Sequence, residues 1–433
     1  ARAQAPGRRL RAVFQPHRYT RTRALGPDFP GAFDGVDELV LIPVYAASET
    51  PLEGGLCADL YAHFRQAGTV PSVWLGGSLE EAWRYVKRSL GPDDTLLVVG
   101  AGSVEQLAAR AREAWPAQTA GDGAAPATGR GGAKDLPPAP WWSERLPDST
   151  CKDDEPLGAK TGYGAGGRAA LWVAVGAEAD LRTLLGLTRE MGTVPRILGG
   201  GYNVLVGDLG VAGVTVRLTG STFRTLHNEG EGRVRVGAAV PLSRLLSRLE
   251  AWGYGGMEFL EGIPGTVGGA IRMNAGACGG EMKDWVERIR ILNFQGEEGT
   301  VNADELGFSY RRCASLEQAV AVEAVLRCLP SSARAIRAER DERAKRREWM
   351  RGMRSAGSVF RNPPQGTAGR MLDECGFRGA AVGGARVSDR HANVIYTERD
   401  ATASDVRALM DRMQAGVERR FGVVLEREVE VWC

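Results

Sequence analysis

Two glycine-dense stretches constrain this chain more than any other feature: LGGGYNVLVGD at 198–208 and GIPGTVGGAIRMNAGACGGE at 262–281. Glycine tolerates backbone conformations closed to other residues and weakens the interior of helices and strands. Each stretch therefore reads as a turn between apolar runs. The 58 glycines follow no period, which argues against a collagen-like repeat and for a turn-rich α/β or α+β protein. Such turns let backbone N–H groups approach a diphosphate without a Cβ in the way; a tight structural turn has the same local pattern. The first stretch is not the Rossmann fingerprint, because its spacing is not GxGxxG and a strand rather than a helix follows. Two glycine-rich segments within one domain suit a large, flat, anionic ligand such as a dinucleotide.

The remaining composition narrows the class. At 433 residues the chain holds two to four domains, and 43% hydrophobic with 25% charged residues is ordinary for a soluble globular protein. A net charge of +2 gives no electrostatic case for a nucleic-acid partner. The seven cysteines form no CxxC pair and the four histidines are scattered, so no metal site is expected and the thiols read as reduced. No apolar run approaches the roughly 18 residues that span a bilayer. The opening ARAQAPGRRLRAVF has charge but no apolar core of a signal peptide. Cytoplasmic placement without membrane insertion is the expectation. The first residue is alanine rather than methionine, which reads as a piece of a longer polypeptide.

Along the chain, residues 1–115 alternate short apolar strands (RLRAVF, ELVLIPVY, SVWL, DTLLVVG) with helical stretches, the signature of a small α/β domain with a mainly parallel sheet. Residues 116–157 are dominated by Gly, Pro and Ala and read as a flexible linker, although Trp141 and Trp142 are out of character there. Residues 158–330 resume strand and helix patterns, with Gly192 the stop of a helix beginning near 177. Residues 331–433 form a further α+β domain. It opens on a charged helix with two serine N-cap candidates and closes on a helix and the strand VVLEREVEVW. Period two on that strand would place Glu426, Glu428 and Glu430 on one face.

Several short motifs carry candidate chemistry. SAGSVFRNPP at 355–364 follows Gly357 with a lone hydroxyl, Ser358, then Arg361 and Asn362. It is not a GxSxG elbow, so a plain turn remains an alternative. FSYRR at 308–312 sets Arg311 beside Tyr310. FQPHRYTRTR crowds His17, Arg18, Arg21 and Arg23 at the end of a strand, where α/β domains bind ligands; a solvated basic loop fits equally. VVGAGS at 98–103 is a weak nucleotide signal.

Taken in order, LGGGYNVLV, EFLEGIPGTVGGAIRMNAGACGGE, FSYR, SAGSVFRNPP, GGARVSDRHANVIY and LEREV make residues 158–433 closely resemble the UDP-N-acetylenolpyruvoylglucosamine reductase family, in its shorter subtype. The resemblance implies an α+β FAD-binding domain of the PCMH/vanillyl-alcohol-oxidase type at 158–330 and an α+β substrate-binding domain at 331–433. It implies FAD and NADPH as cofactors, and a role in peptidoglycan precursor synthesis, hence in cell-wall biogenesis, cell shape and division. The reaction it implies delivers hydride to C3 and a proton to C2 of the enolpyruvyl group of the substrate, giving UDP-N-acetylmuramate. Carried over by position, Ser358 is the proton donor, Arg311 polarises the substrate carboxylate, and Glu428 orients or stabilises the intermediate. Arg361, Asn362 and Tyr310 fall to the substrate. Gly199, Gly200, Gly201, Tyr202, Asn203 and Val204 fall to the flavin diphosphate, and Gly265, Thr266, Gly269 and Ala270 to the rest of the cofactor. The chain departs from the family at Cys278, usually tyrosine, and lacks the usual Gln-Pro before the serine motif.

Residues 9–113 resemble the C-terminal domain of the UDP-N-acetylmuramate–L-alanine ligase family through VFQPHRYTRTR, VYAASETPLEGG and LLVVGAGS. No Walker-type GxxxxGK[ST] loop exists in the chain, so this segment reads as a ligase tail fused ahead of a reductase, without amide-forming activity of its own. Contact with other Mur enzymes is a further implication. Two other readings stay open. Another FAD-linked oxidase or dehydrogenase would share GGGYNVLV but lack the serine–arginine–glutamate trio, and a non-catalytic scaffold would dock the N-terminal domain on a cell-wall enzyme.

Overall fold

The structure, a computed structural model, describes residues 7–115 and 136–433. Residues 116–135 of the expected linker lie outside the described residues. The N-terminal unit is a four-stranded parallel sheet in the order Ser72–Leu75, Glu38–Leu41, Arg9–Gln15, Asp94–Gly100. Period two sorts the first strand: Leu10, Ala12 and Phe14 join a core with the helix Cys57–Ala67. Val13 packs on the other face with Ala82 and Val86 of Leu79–Ser89 and Leu107 of Val104–Ala114. Helices cover both faces, as the strand–helix alternation predicts.

The reading of 136–157 as linker is corrected. Ala139–Arg145 is a helix whose Trp142 is fully buried and donates from Nε1 to Pro137 O at 3.0 Å. Thr150–Pro156 is a strand paired antiparallel to Arg168–Val175. Prolines and charges hid both elements; the tryptophan pair was the signal, because burying one indole offsets more chain entropy than the local composition suggests. Trp141, edge-on to Trp142, stacks under Arg145 at 3.8 Å.

Beyond it, Thr150–Pro156, Arg168–Val175, Val211–Leu218 and Arg196–Ile197 form one mixed sheet. Leu226–Gly230, Arg233–Gly237, Ala319–Arg327, Val286–Asn293 and Glu298–Asn302 form a five-stranded antiparallel sheet. The helix Glu178–Glu190 ends just before Gly192, at φ 67°, as expected. The charged helix Ala333–Arg347 is capped by Ser332, whose Oγ accepts from Ala335 N at 3.2 Å. It packs on this second unit rather than opening the third: Arg337 and Arg340 pair with Glu250 of Leu242–Trp252. The third unit is the antiparallel sheet Ser355–Ser358, Val394–Thr397, Ala385–Val387, Ala381–Val382 with the helix Ala403–Phe421.

The closing strand is shorter than expected. Only Glu430–Trp432 is extended, and it pairs in parallel with Val204–Val206, returning the C-terminus to the glycine loop. Residues 422–429 run irregularly, so Glu426, Glu428 and Glu430 do not share one solvated face. The N-terminal unit does not stand apart. Tyr61 and Phe64 share one buried cluster with Val406, Leu409 and Met413 of Ala403–Phe421. Tyr61 Oη donates to the buried Asp405 at 2.8 Å, and Ser404 Oγ accepts from Leu75 N at 2.9 Å.

Candidate active site

The two glycine-dense stretches meet in space. A Cβ on Gly200 would lie 2.7 Å from Gly265 Cα, and one on Gly199 would lie 2.9 Å from Thr266 Oγ1. Gly201, at φ 77°, lies against Lys160, where a Cβ would meet the carbonyl oxygen at 2.2 Å. The loop's glycines are thus required both by conformation and by close approach. Among the described residues, no protein acceptor takes the N–H groups of Gly199, Gly200, Gly201, Tyr202 or Asn203. A run of unpaired amides in a glycine turn is an anion-binding concavity, and the space around the Cβ position of Gly265 is open for 4 Å. These residues fit the diphosphate of a dinucleotide such as FAD. Gly269 and Ala270 serve differently from a donor role. Their amides are used within the helix Val267–Arg272, bonded to Thr266 Oγ1 and Thr266 O. Gly269 lines the cradle through its backbone, its Cα 3.8 Å from the Cβ position of Gly199, while Ala270 is buried in the core behind it. Val204 is buried in the strand that follows.

Ser358 ends the strand Ser355–Ser358, just after Gly357 at φ 79°. Its hydroxyl has no hydrogen-bond partner among the described residues. Buried Asn393 fixes the segment that follows, accepting from Phe360 N at 2.9 Å and donating to Phe360 O at 2.8 Å. Glu428 connects the parts. Its N–H donates to the carbonyl of Val359, next to Ser358, at 2.7 Å. Its carboxylate accepts from Arg311 Nε at 2.7 Å, and its carbonyl accepts from Asn203 Nδ2 of the glycine loop at 3.0 Å. Burial pushes the Glu428 carboxyl above its ordinary range, and the Arg311 guanidinium pulls the other way.

Arg311 sits at φ 56°, a left-handed conformation uncommon for a non-glycine residue, and its Nη2 donates to Gly276 O at 3.1 Å. The pair is largely shielded, with side chains 20% and 13% exposed. Tyr310 lies under the Arg311 guanidinium at 5.1 Å and accepts from Asn362 N at 3.5 Å. Asn362 Oδ1 accepts from Ala368 N at 3.0 Å, and its NH₂ has no partner among the described residues. Arg361 bonds Glu426 at 2.9 Å while its Nε stays buried without a partner.

All the sequence-derived site residues therefore fall within two linked groups, the glycine cradle and the Ser358–Glu428–Arg311 cluster, joined by Asn203. Asn393 and the positioning part of Asn203 were not anticipated. The only sequence trace of Asn393 is its place in the HANVIY motif. The basic loop of the N-terminal unit is elsewhere. His17 stacks on Tyr45 at 5.6 Å, and Thr20 beside it is held by Glu49. No group of His, Cys, Asp or Glu that could hold a metal exists among the described residues. The seven cysteines are all free.

A cradle of amides unpaired among the described residues, beside a largely shielded arginine–glutamate pair, has the make-up of a dinucleotide-binding centre. A family model described as "FAD binding domain" matches residues 169–302, which contain the cradle, and makes the class a flavoprotein. A second, "UDP-N-acetylenolpyruvoylglucosamine reductase, C-terminal domain", matches residues 349–432, which contain Ser358 and Glu428. The chain is 40% identical over 281 residues to a UDP-N-acetylenolpyruvoylglucosamine reductase of Symbiobacterium thermophilum, covering 64% of this chain and 91% of that one. It is 43% identical over 282 residues to the reductase of an Anaeromyxobacter species, covering 64% and 87%. The crystal structure of the corresponding reductase from Thermus caldophilus superposes with a TM-score of 0.57 at 34% identity, covering 65% of this chain and 98% of that one. The chain belongs to the UDP-N-acetylenolpyruvoylglucosamine reductase family. Neither matching family model reaches into residues 1–168.

Proposed function

We propose that this protein reduces UDP-N-acetylenolpyruvoylglucosamine to UDP-N-acetylmuramate with NADPH as reductant, in the cytoplasm. Family membership supports the substrate. The observation that carries the reading is Glu428, which bonds the carbonyl beside Ser358, the Arg311 guanidinium and the Asn203 amide of the glycine cradle at once. When bound, FAD supplies the hydride, taken from NADPH, that adds at C3 of the enolpyruvyl group.

The chain's own residues supply the rest. Hydride at C3 of an enol ether conjugated to a carboxylate leaves negative charge on C2 and the carboxylate. Arg311 offers a cation to that charge in a shielded pocket, where it acts more strongly than in water. Glu428 holds Arg311 at its Nε and so fixes its plane. Ser358, hinged on Gly357, donates its hydroxyl proton to C2. A free serine is a weak acid, so the strong basicity of C2 drives the transfer. Arg361, Asn362 and Tyr310 hold the nucleotide end.

Residues 9–113 we read as a ligase tail, supported by the motifs quoted above and by a parallel sheet covered on both faces. Their role here is structural and not amide-forming.

The decisive experiment incubates the FAD-loaded protein with NADPH and the enolpyruvyl substrate. The expected result is bleaching of the flavin absorbance by NADPH and its return on substrate addition, with UDP-N-acetylmuramate formed. Protein that takes up no FAD, or reduced flavin that substrate fails to reoxidise, would reject the proposal.

A further inference from the structure

The helix Ala333–Arg347 carries a series of arginines whose charges are met as it crosses the reductase. Arg337 pairs with Glu250. Arg340 pairs with Glu250 at 2.5 Å and Glu261 at 2.6 Å, Arg343 with Glu339 at 2.6 Å, and Arg346 with Glu342 at 3.5 Å. Arg347, the last residue, is half-buried, yet its guanidinium makes no hydrogen bond or ion pair among the described residues. Its stem packs over Gly262, where a Cβ would come within 3.1 Å of Arg347 Cδ. The acid in its field, Glu261, is already taken by Arg340. Its other charged neighbours are Arg311 and Arg343, with the Cys278 thiol.

The hairpin formed by Gly276–Ala277 and Gly280–Glu281 lies between these cations. At one end the Gly276 carbonyl accepts from Arg311; at the turn, Cys278 stands within the field of Arg343 and Arg347. A cation in a helix's last turn ordinarily complements the partial negative charge there from the surface. Lys345 and Arg346, both exposed, already do so. Removing a guanidinium from water without giving it a carboxylate is unfavourable unless something else supplies the negative charge. Placing it in the field of Arg311 makes this worse. An oxyanion shared between the two would offset both costs. Arg311 gives Nε to Glu428 and one Nη2 hydrogen to Gly276 O, which leaves three of its five N–H donors for a shared oxyanion. Among the described residues, nothing takes the donors of Arg347.

We infer that Arg347 is a second substrate-binding cation, acting with Arg311 on an oxyanion of the substrate, either the diphosphate or the enolpyruvyl carboxylate. This rests on the reductase reading. The test is calorimetric titration of the FAD-loaded full chain with UDP-N-acetylglucosamine, which has the diphosphate but no carboxylate, and with its enolpyruvyl derivative. Arg347→Ala should weaken binding by about 10- to 100-fold, the range of a charge-assisted hydrogen bond. Arg347→Lys should recover part of the loss, and thermal unfolding of the variants should match the wild type. Equal losses on both ligands assign Arg347 to the diphosphate. A loss confined to the enolpyruvyl ligand assigns it to the carboxylate. Affinities within about twofold of wild type on both ligands for Arg347→Ala, or wild-type protein that binds neither, overturn the inference. Wild-type protein that binds both without turnover overturns the reductase reading alone.

Discussion

At the scale of single residues, Ser358 and Glu428 make opposite kinds of contribution. Among the described residues the Ser358 hydroxyl has no protein partner to lose, so Ser358→Ala should leave stability and NADPH-driven bleaching of the flavin near wild type. Turnover of the enolpyruvyl substrate should fall by roughly 10²–10⁴-fold, the share of a positioned proton donor. Stopped-flow traces of the two half-reactions separate these outcomes, and near-normal turnover would remove Ser358 from its role. Glu428 is a buried acid whose carboxyl is raised above its unfolded value by burial, with Arg311 opposing. The folded state therefore holds its proton more tightly than the unfolded chain does. The stability it contributes is full at low pH and is lost as pH rises through the raised folded value. In urea unfolding, Glu428→Gln should accordingly gain stability relative to wild type on going from about pH 4 to about pH 8. A difference that stays flat, or moves the other way, would contradict the burial of this carboxyl.

At the scale of elements, the glycine loop and the segment 136–156 show what local pattern conveys and what it hides. Gly201 needs a positive φ, and its neighbour Lys160 leaves no room for a methyl group. Gly201→Ala should distort the loop and lower retention of FAD during gel filtration, by at least the roughly 1–2 kcal/mol cost of a left-handed alanine. Full flavin occupancy in that variant would mean that the cradle lies elsewhere. Segment 136–156 is the converse case. Its composition is that of a linker, and yet Trp142 is wholly buried beside Leu146 and Leu181. Trp142→Ala should cost about 3–5 kcal/mol, as large aromatic truncations in a core do, which thermal melts would register directly. A loss within experimental error would restore the linker reading.

At the scale of the whole molecule, the N-terminal unit and the reductase are joined through the start of the helix Ala403–Phe421. Asp405 receives Tyr61 Oη at 2.8 Å and Arg65 at 3.0 Å, with its side chain fully buried. Asp208, just beyond the glycine loop, caps the same helix through Ala403 N at 2.9 Å and Ser404 N at 2.6 Å. One buried cluster spanning both units predicts a single calorimetric unfolding transition. Asp405→Ala, which strands Arg65 and Tyr61, should lower stability by about 3–5 kcal/mol and shift that one transition as a whole. Two resolved transitions, only one of them moved, would show that the units fold independently. The sequence by itself determined much of this protein. Strand–helix alternation specified the parallel sheet of the first unit, because period-two burial on both faces leaves few alternatives. The ordered glycine, serine, arginine and glutamate motifs carried the resemblance to the reductase family, because each fixes particular residue types at particular points along the chain. Only the tertiary structure decided that residues 422–429 leave the strand, that Asn203 ties the cradle to the last strand, that Arg347, unlike the other half-buried arginines of its helix, has no carboxylate partner among the described residues, and that the first unit shares a core with the third. Each of these depends on which distant segments pack together, and pairing across more than a hundred residues leaves no periodic trace in the local sequence.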